Sequence, residues 1–226
     1  MLELAVEQFD EYCERVGFAL LAEPINALSN LAFIVAAWAA WRLAKRTDTL
    51  PTGVKVLIGL AGATAIGSML WHTLANTWSL LLDVIPIVAF MVGFLWLYVR
   101  KVMGKGVGFA ALCVGAFFVS AVLVQPIGDD IHGAPSYLPG LLVVLVLGLY
   151  HAVQQKPSRF TLLAGAGTYF TALFFRTIDN ELCHYMTIGT HFIWHMLIAL
   201  VTYLAMRSLI LTLAGNANVA KPDPRA

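Results

Sequence analysis

Apolar and polar positions alternate along this chain in long blocks rather than short periods. Runs of 17 to 23 mostly apolar residues, bounded by charge, glycine and proline, lie near 26–44, 54–73, 80–99, 107–125, 137–153, 160–177 and 190–212. Crossing the hydrocarbon core of a bilayer takes about 20 apolar residues in a helix. The pattern therefore predicts an all-α polytopic membrane protein, a seven-transmembrane-helix bundle in one domain over residues 1–226. Residues 1–25 read as an acidic extracytoplasmic arm, and 213–226 as a short, polar, frayed cytoplasmic tail. The six acids in residues 1–23, with no basic region leading into an apolar stretch, do not read as a cleavable signal peptide, so the first span doubles as the insertion signal.

Composition agrees with this reading. Apolar residues make up 60% of the chain and charged residues only 12%, against roughly 45–50% and about 25% for a soluble domain. So few charges cannot furnish the surface of a soluble enzyme or a nucleic-acid binder. The net charge of +1 says little as a sum, but its distribution is informative. Arg42, Lys45, Arg46, Lys55, Arg100, Lys101, Lys105, Lys156, Arg159, Arg207, Lys221 and Arg225, 12 of the 14 basic residues, fall in alternate connections or the tail. By the positive-inside rule these face the cytoplasm, with the N-terminus outside and the C-terminus inside. Only Arg15 and Arg176 fall on the outer side, together with 11 of the 13 acids, all but Asp48 and Asp223.

An ionisable group within a membrane span is a functional-site hypothesis by default. His72, Asp83, His191 and His195 all fall within spans, toward the outer face by this topology. His191 and His195 are four residues apart, so their imidazoles share one helix face. Ser68 stands one turn before His72 at the same spacing. Three neutral imidazoles from two helices, with a fourth position open, make a usual catalytic zinc site. Asp83 then fits a proton acceptor or an orienting group, and Ser68 a hydrogen-bond donor to the developing oxyanion. The bland alternative for any single interfacial histidine is a headgroup contact. His132, His151 and His184 read as structural or solvated, and Asp129-Asp130-Ile131-His132 as a solvated loop.

The motif Ser68-x-x-x-His72, with Asp83 eleven residues later and His191-x-x-x-His195, resembles the signature of the alkaline ceramidase family. That family belongs to a wider group of seven-span metal hydrolases that includes adiponectin-receptor and hemolysin III type proteins. Glu11-Tyr12-Cys13-Glu14, Glu23-Pro24-Ile25-Asn26-Ala27-Leu28-Ser29-Asn30 and Ile178-Asp179-Asn180-Glu181-Leu182-Cys183 resemble the ceramidase branch in particular. The resemblance implies a zinc-dependent amidohydrolase that cleaves the N-acyl bond of ceramide, or a similar N-acyl lipid, to a free base and a fatty acid. It implies His72, His191 and His195 as zinc ligands, Asp83 as proton shuttle and Ser68 as the oxyanion or water-positioning group.

It further implies a calcium site on Glu11, the Tyr12 carbonyl, Glu14 and Glu23, oxygen donors of the kind calcium takes. Here the chain departs from the family. Arg15-Val16 stands where a side-chain amide ligand belongs, leaving only a backbone carbonyl at Val16, and the Glu14–Glu23 interval looks shorter. The alternative for these acids is a solvated cluster that caps the first helix. Cys13 and Cys183 both fall on the outer side, where a disulfide between them would staple the arm near the metal. Cys113 lies mid-span as a small buried hydrophobe.

Other functions fare worse on the residues. The lysines all fall in the cytoplasmic connections or the tail, not deep in a span as a retinal Schiff base needs; Gly67-Ser68-Met69 lacks the following glycine of an intramembrane serine protease loop. A transporter would set its polar groups near the midplane. The surviving alternative is a receptor or sensor of the adiponectin-receptor type with a structural zinc. The expected partners are the lipid bilayer and a lipid substrate, in a bacterial inner membrane with the site toward the outer face.

Overall fold

The structure, a computed structural model, describes residues 7–125 and 134–219. It is all-α. Helix α1 (Pro24–Ser29) runs almost directly into α2 (Leu31–Arg46), and the pair occupies the first predicted span. Then follow α3 (Thr52–Leu74), α4 (Thr77–Leu97), α5 (Val107–Val124), α6 (Leu138–Val153), α7 (Thr161–Thr177) and α8 (His191–Val219). A π-turn over Tyr98–Val102 extends α4.

Six of these segments are long and apolar enough to cross a membrane, counting α1 and α2 as one. The chain is thus an integral, multi-pass membrane protein. Helix α7, read from the sequence as a seventh span, has 17 residues. It is about 26 Å long at 1.5 Å per residue, short of a hydrocarbon core about 30 Å thick.

The largest departure from the sequence pattern is at the end. Helix α8 continues to Val219, whereas the apolar run ends near 212 and the following residues read as a frayed tail. Ala-Gly-Asn-Ala-Asn-Val lacks apolar periodicity. Extending an existing helix nevertheless requires no new nucleus, and Pro222, which disfavours helix before it, comes only three residues later. The Asp129–His132 loop lies outside the described residues.

Bundle packing sorts the faces. A core around Leu57, Phe94, Tyr98, Leu162, Met206 and Ile210 fills the interior toward the basic end. His151, buried there, accepts or donates to the Tyr98 hydroxyl at 2.7 Å through Nδ1 and meets the Pro157 carbonyl at 3.0 Å through Nε2. It ties α4, α6 and the α6–α7 turn together. Leu112, Phe118, Val119, Val122 and Leu123 of α5 are exposed, and Ala110 is the buried residue of that helix. Such a continuous apolar face suits acyl chains and not water.

The tight connection between α3 and α4 positions the chemistry. Ala75, with φ of 43°, ends α3 in the left-handed region, its N–H donating to the Trp71 carbonyl. Asn76 starts α4 with a reciprocal cap: its Oδ1 accepts from the Ser79 amide at 3.0 Å, and its own amide donates to Ser79 Oγ at 3.0 Å. Farther along, Pro86 has no N–H to offer the carbonyl of Leu82. That carbonyl faces Gly67, where any Cβ would collide with it. Glycine at 67 therefore lets α3 and α4 approach closely beside Ser68 and Asp83.

The N-terminal arm is not a free solvated segment. Phe9 donates its amide to the Ala75 carbonyl at 2.9 Å, and its ring lies 5.5 Å from that of Trp71. Cys13 and Cys183 are joined by a disulfide, Cα to Cα 5.1 Å, across 170 residues. The arm lies over the end of the bundle where α3 finishes and α4 and α8 begin.

Candidate metal centre

Three histidines meet under the arm. His72 comes from the last turn of α3, and His191 and His195 from the first turns of α8; all three are buried, at 1%, 1% and 4% exposure. One nitrogen from each lies within 4.8 Å of the others. Nε2 of His72 and Nε2 of His195 are 3.1 Å apart. Two nitrogens on one tetrahedral zinc, each bonded at about 2.0–2.1 Å, stand roughly 3.3 Å apart. The donor set thus fits a metal ion, and three imidazoles without a thiolate suit zinc.

Two of the outward nitrogens, those of His72 and His195, are held from behind by acceptors, as ligating imidazoles usually are, whereas that of His191 faces a donor. Nδ1 of His72 lies 2.5 Å from Oε2 of Glu23. Nδ1 of His195 lies 2.7 Å from the Ser29 hydroxyl, with the Asn30 amide at 3.5 Å. Nδ1 of His191 lies 3.3 Å from a guanidinium nitrogen of Arg176, and Tyr12 stacks on the same imidazole at 3.9 Å between centroids. Asp179 sets the start of α8: its Oδ1 accepts the amides of Thr190 at 2.5 Å and His191 at 2.9 Å, and its Oδ2 accepts the amide of Cys13 at 3.1 Å. Gly189, at φ of 59°, leaves room for that carboxylate, which a Cβ would strike.

Asp83 and Ser68 lie beside the histidines, both lining the same cavity as His191 and His195. The Ser68 side chain lies within interaction range of the Asp83 carboxylate. Oδ1 of Asp83 is buried with no hydrogen-bond partner among the described residues. A buried carboxylate oxygen with an open lone pair is what a proton acceptor needs. Arg176 also lines the cavity, beside the rings of Tyr12, Tyr137 and Trp194, at 5.7, 4.7 and 5.5 Å. Its Nε has no partner among the described residues. From this polar end the cavity runs along α8 past Ile198 and Val201 to Ala205, with Phe90, Phe94 and Val144 also lining it. The ten steps from His195 to Ala205 cover about 15 Å of helix.

The acids of the arm are arranged differently from the calcium set that the resemblance implies. Glu14 gives both carboxylate oxygens to the amides of Ile25 and Asn26, each at 2.7 Å, at the start of α1. Burial pushes its carboxyl above the usual carboxylate range, against those hydrogen bonds. Glu23 is buried at 2% exposure and forms an ion pair with Arg15, which is also buried. Burial raises the Glu23 carboxyl too, while the Asn26 amide, 3.0 Å away, and Arg15 pull it down. The Tyr12 carbonyl accepts from the amide of Arg15 at 3.0 Å. Glu11 is exposed, its carbonyl taking the Asn180 side chain at 3.2 Å. Val16, an apolar side chain, is 85% exposed. These residues do not fit a calcium ion.

The ceramidase family model matches residues 10–222. The chain belongs to the ceramidase family. Membership implies an amide hydrolase with a ceramide-like lipid substrate. A search of the curated proteins gives no match.

Several residues around this centre carried no role in the sequence reading: Arg15, Arg176, Ser29, Asn30 and Asp179. Ser29, Asn30 and Asp179 lie within the stretches that resemble the family. Arg15 and Arg176 carried another signal, as the two basic residues on the acidic side.

Proposed function

We propose that this ceramidase-family chain is a zinc-dependent intramembrane amidohydrolase that cleaves the N-acyl bond of ceramide or a similar N-acyl lipid. The observation that carries the reading is a buried three-histidine cluster at the polar end of an apolar cavity, with a carboxylate oxygen left open beside it. His72, His191 and His195 would hold the ion. A bound zinc supplies Lewis acidity, polarising the amide carbonyl and making a water easier to deprotonate.

The chain's own groups supply the proton transfers. Oδ1 of Asp83 takes a proton from the attacking water and returns it to the leaving nitrogen, so the amide and one water become an acid and an amine. Ser68 has one O–H to offer, and an ionised Asp83 nearby would compete for it. Once Asp83 is protonated the hydroxyl is free to turn toward the developing oxyanion. The cavity behind the histidines suits an acyl chain, and Arg176 offers an unfilled donor to a polar group of the substrate. With seven spans and the basic end in the cytoplasm, the site would face the outer side of a bacterial inner membrane, a reading supported by the one-sided distribution of Lys and Arg. Helix α7, short of the core thickness alone, packs between α6 and α8 and completes that count.

The test is hydrolysis of a panel of N-acyl lipids by the purified protein, with and without chelator, together with zinc analysis. Release of fatty acid and amine that stops on chelation, zinc lost in His72→Ala, and zinc kept without turnover in Asp83→Asn are the expected results. Chelator-insensitive hydrolysis overturns the mechanism. Ligand binding without turnover in any preparation favours the sensor of the adiponectin-receptor type.

A further inference from the structure

The one buried carboxylate among the residues that the resemblance gives to calcium, Glu23, is paired with a side chain of this chain, Arg15. Arg15 is 5% exposed, and its guanidinium spends its donors on an acceptor set resembling a cation site. Nε pairs with Oε1 of Glu23, Nη2 donates to the His72 carbonyl at 3.0 Å, and Nη1 to the Gly17 carbonyl at 3.3 Å. A carboxylate as buried as Glu23 needs a cation beside it. Calcium is one solution and a guanidinium another. The two compete for the Glu23 carboxylate, because a dication on it would face the fixed positive charge of Arg15 at contact distance.

We propose that Arg15 is the built-in cation of this chain, neutralising the Glu23 carboxylate that the resemblance assigns to calcium. It is a positioning residue. It holds Glu23 against Nδ1 of His72 and binds the backbone of His72 as well, so one side chain sets both ends of that histidine. This rests on the reading of His72 as a metal ligand. It makes the order of the arm, and the metal affinity of the centre, independent of calcium.

The decisive experiment pairs a calcium measurement on the wild-type protein with zinc affinities of Arg15 variants. Equilibrium dialysis with radioactive calcium, to about 1 mM, reaches the weak end of known calcium modules. No stoichiometric binding and no shift in Tm are expected across that range. Arg15→Gln should lower zinc affinity about 10- to 100-fold, the usual effect of losing a group that orients a ligand. Arg15→Lys keeps a charge but not the fork, and should fall between. Stoichiometric calcium binding that raises the wild-type Tm overturns the proposal, as do unchanged zinc affinities in both variants. If Arg15→Gln does not fold, the wild-type calcium arm and Arg15→Lys still decide. Failure of the metal reading itself shows separately, as wild-type protein that takes up no zinc.

Discussion

Glu23 lies between Arg15 and His72, its Oε1 paired with the guanidinium and its Oε2 2.5 Å from the imidazole Nδ1. An acid from the arm thus fixes the orientation of a histidine from the end of α3. Glu23→Gln keeps the shape and removes the charge. It should weaken zinc binding about 10- to 100-fold, read by competition with a chromogenic chelator. It also leaves Arg15 buried without its counter-charge. Breaking a buried pair from one side costs about 3–5 kcal/mol, so Tm should fall even in zinc-saturated protein. Unchanged zinc affinity would show that this contact does not orient His72.

Much of this arrangement was legible in the sequence because membrane spans leave a coarse, strong signal. The positions of His72, Asp83, His191 and His195 at one end follow from where each falls in its apolar run. Their close approach does not, because it depends on Gly67, Pro86 and the two-residue turn at Ala75-Asn76, whose effect is a packing geometry rather than a pattern. Arg15 and Arg176 show the opposite case. As topology markers they are two exceptions among 14 basic residues; in the structure both are turned inward, one onto Glu23 and one toward the cavity. The positive-inside pattern tolerates them because neither acts as a surface charge. The arm was hardest to read. Its acids look like a solvated cap or a calcium cluster until Glu14 is seen on two backbone amides and Glu23 on a guanidinium.

Gly67 tests the packing of α3 on α4 directly. Gly67→Ala adds one methyl group where the Leu82 carbonyl already stands, and backbone on both sides leaves no flexible side chain to yield. Overpacking of this kind costs about 1–3 kcal/mol. The helices must part beside Ser68 and Asp83, so hydrolysis should fall more than zinc content does. Gly59→Ala on the same helix meets nothing within 4 Å and serves as the control. Equal Tm values for the two variants would remove Gly67 from this role.

Asp179 joins three things that otherwise have no reason to stay together: the first amides of α8, the arm at Cys13, and the loop that carries the disulfide. Asp179→Ala strips the acceptor from three amides, two of them in the buried start of α8. Loss of a helix cap together with buried amides left unpaired should cost about 2–4 kcal/mol. Because His191 is the first residue of α8, fraying there moves one of the three clustered histidines. Thermal unfolding and zinc affinity should therefore fall together. A loss of Tm with full zinc affinity would mean that His191 is held by Tyr12 and Arg176 alone.

The disulfide between Cys13 and Cys183 closes a loop of 170 residues in sequence separation, and chain-entropy arguments would assign it about 5 kcal/mol. That figure presumes a fully released chain, whereas helices in a bilayer stay helical when the arm lets go. The effect of reduction should be local. The arm keeps Arg15 at 5% exposure, and the peptide bond after Arg15 is a trypsin site that only a released arm presents. In oxidised protein trypsin should cut the exposed basic connections, near Lys101 and Arg159, and spare Arg15. With a mild reductant, or in Cys13→Ser, a product beginning at Val16 should appear in the mass spectrum at least tenfold faster, as expected when about 1.4 kcal/mol or more of opening free energy is lost. Zinc affinity should drop with it, because the released arm takes Glu23 and Tyr12 away from the histidines. Equal rates of cleavage at Arg15 with and without reductant would mean that packing of Phe9 and the Arg15–Glu23 pair holds the arm without the disulfide.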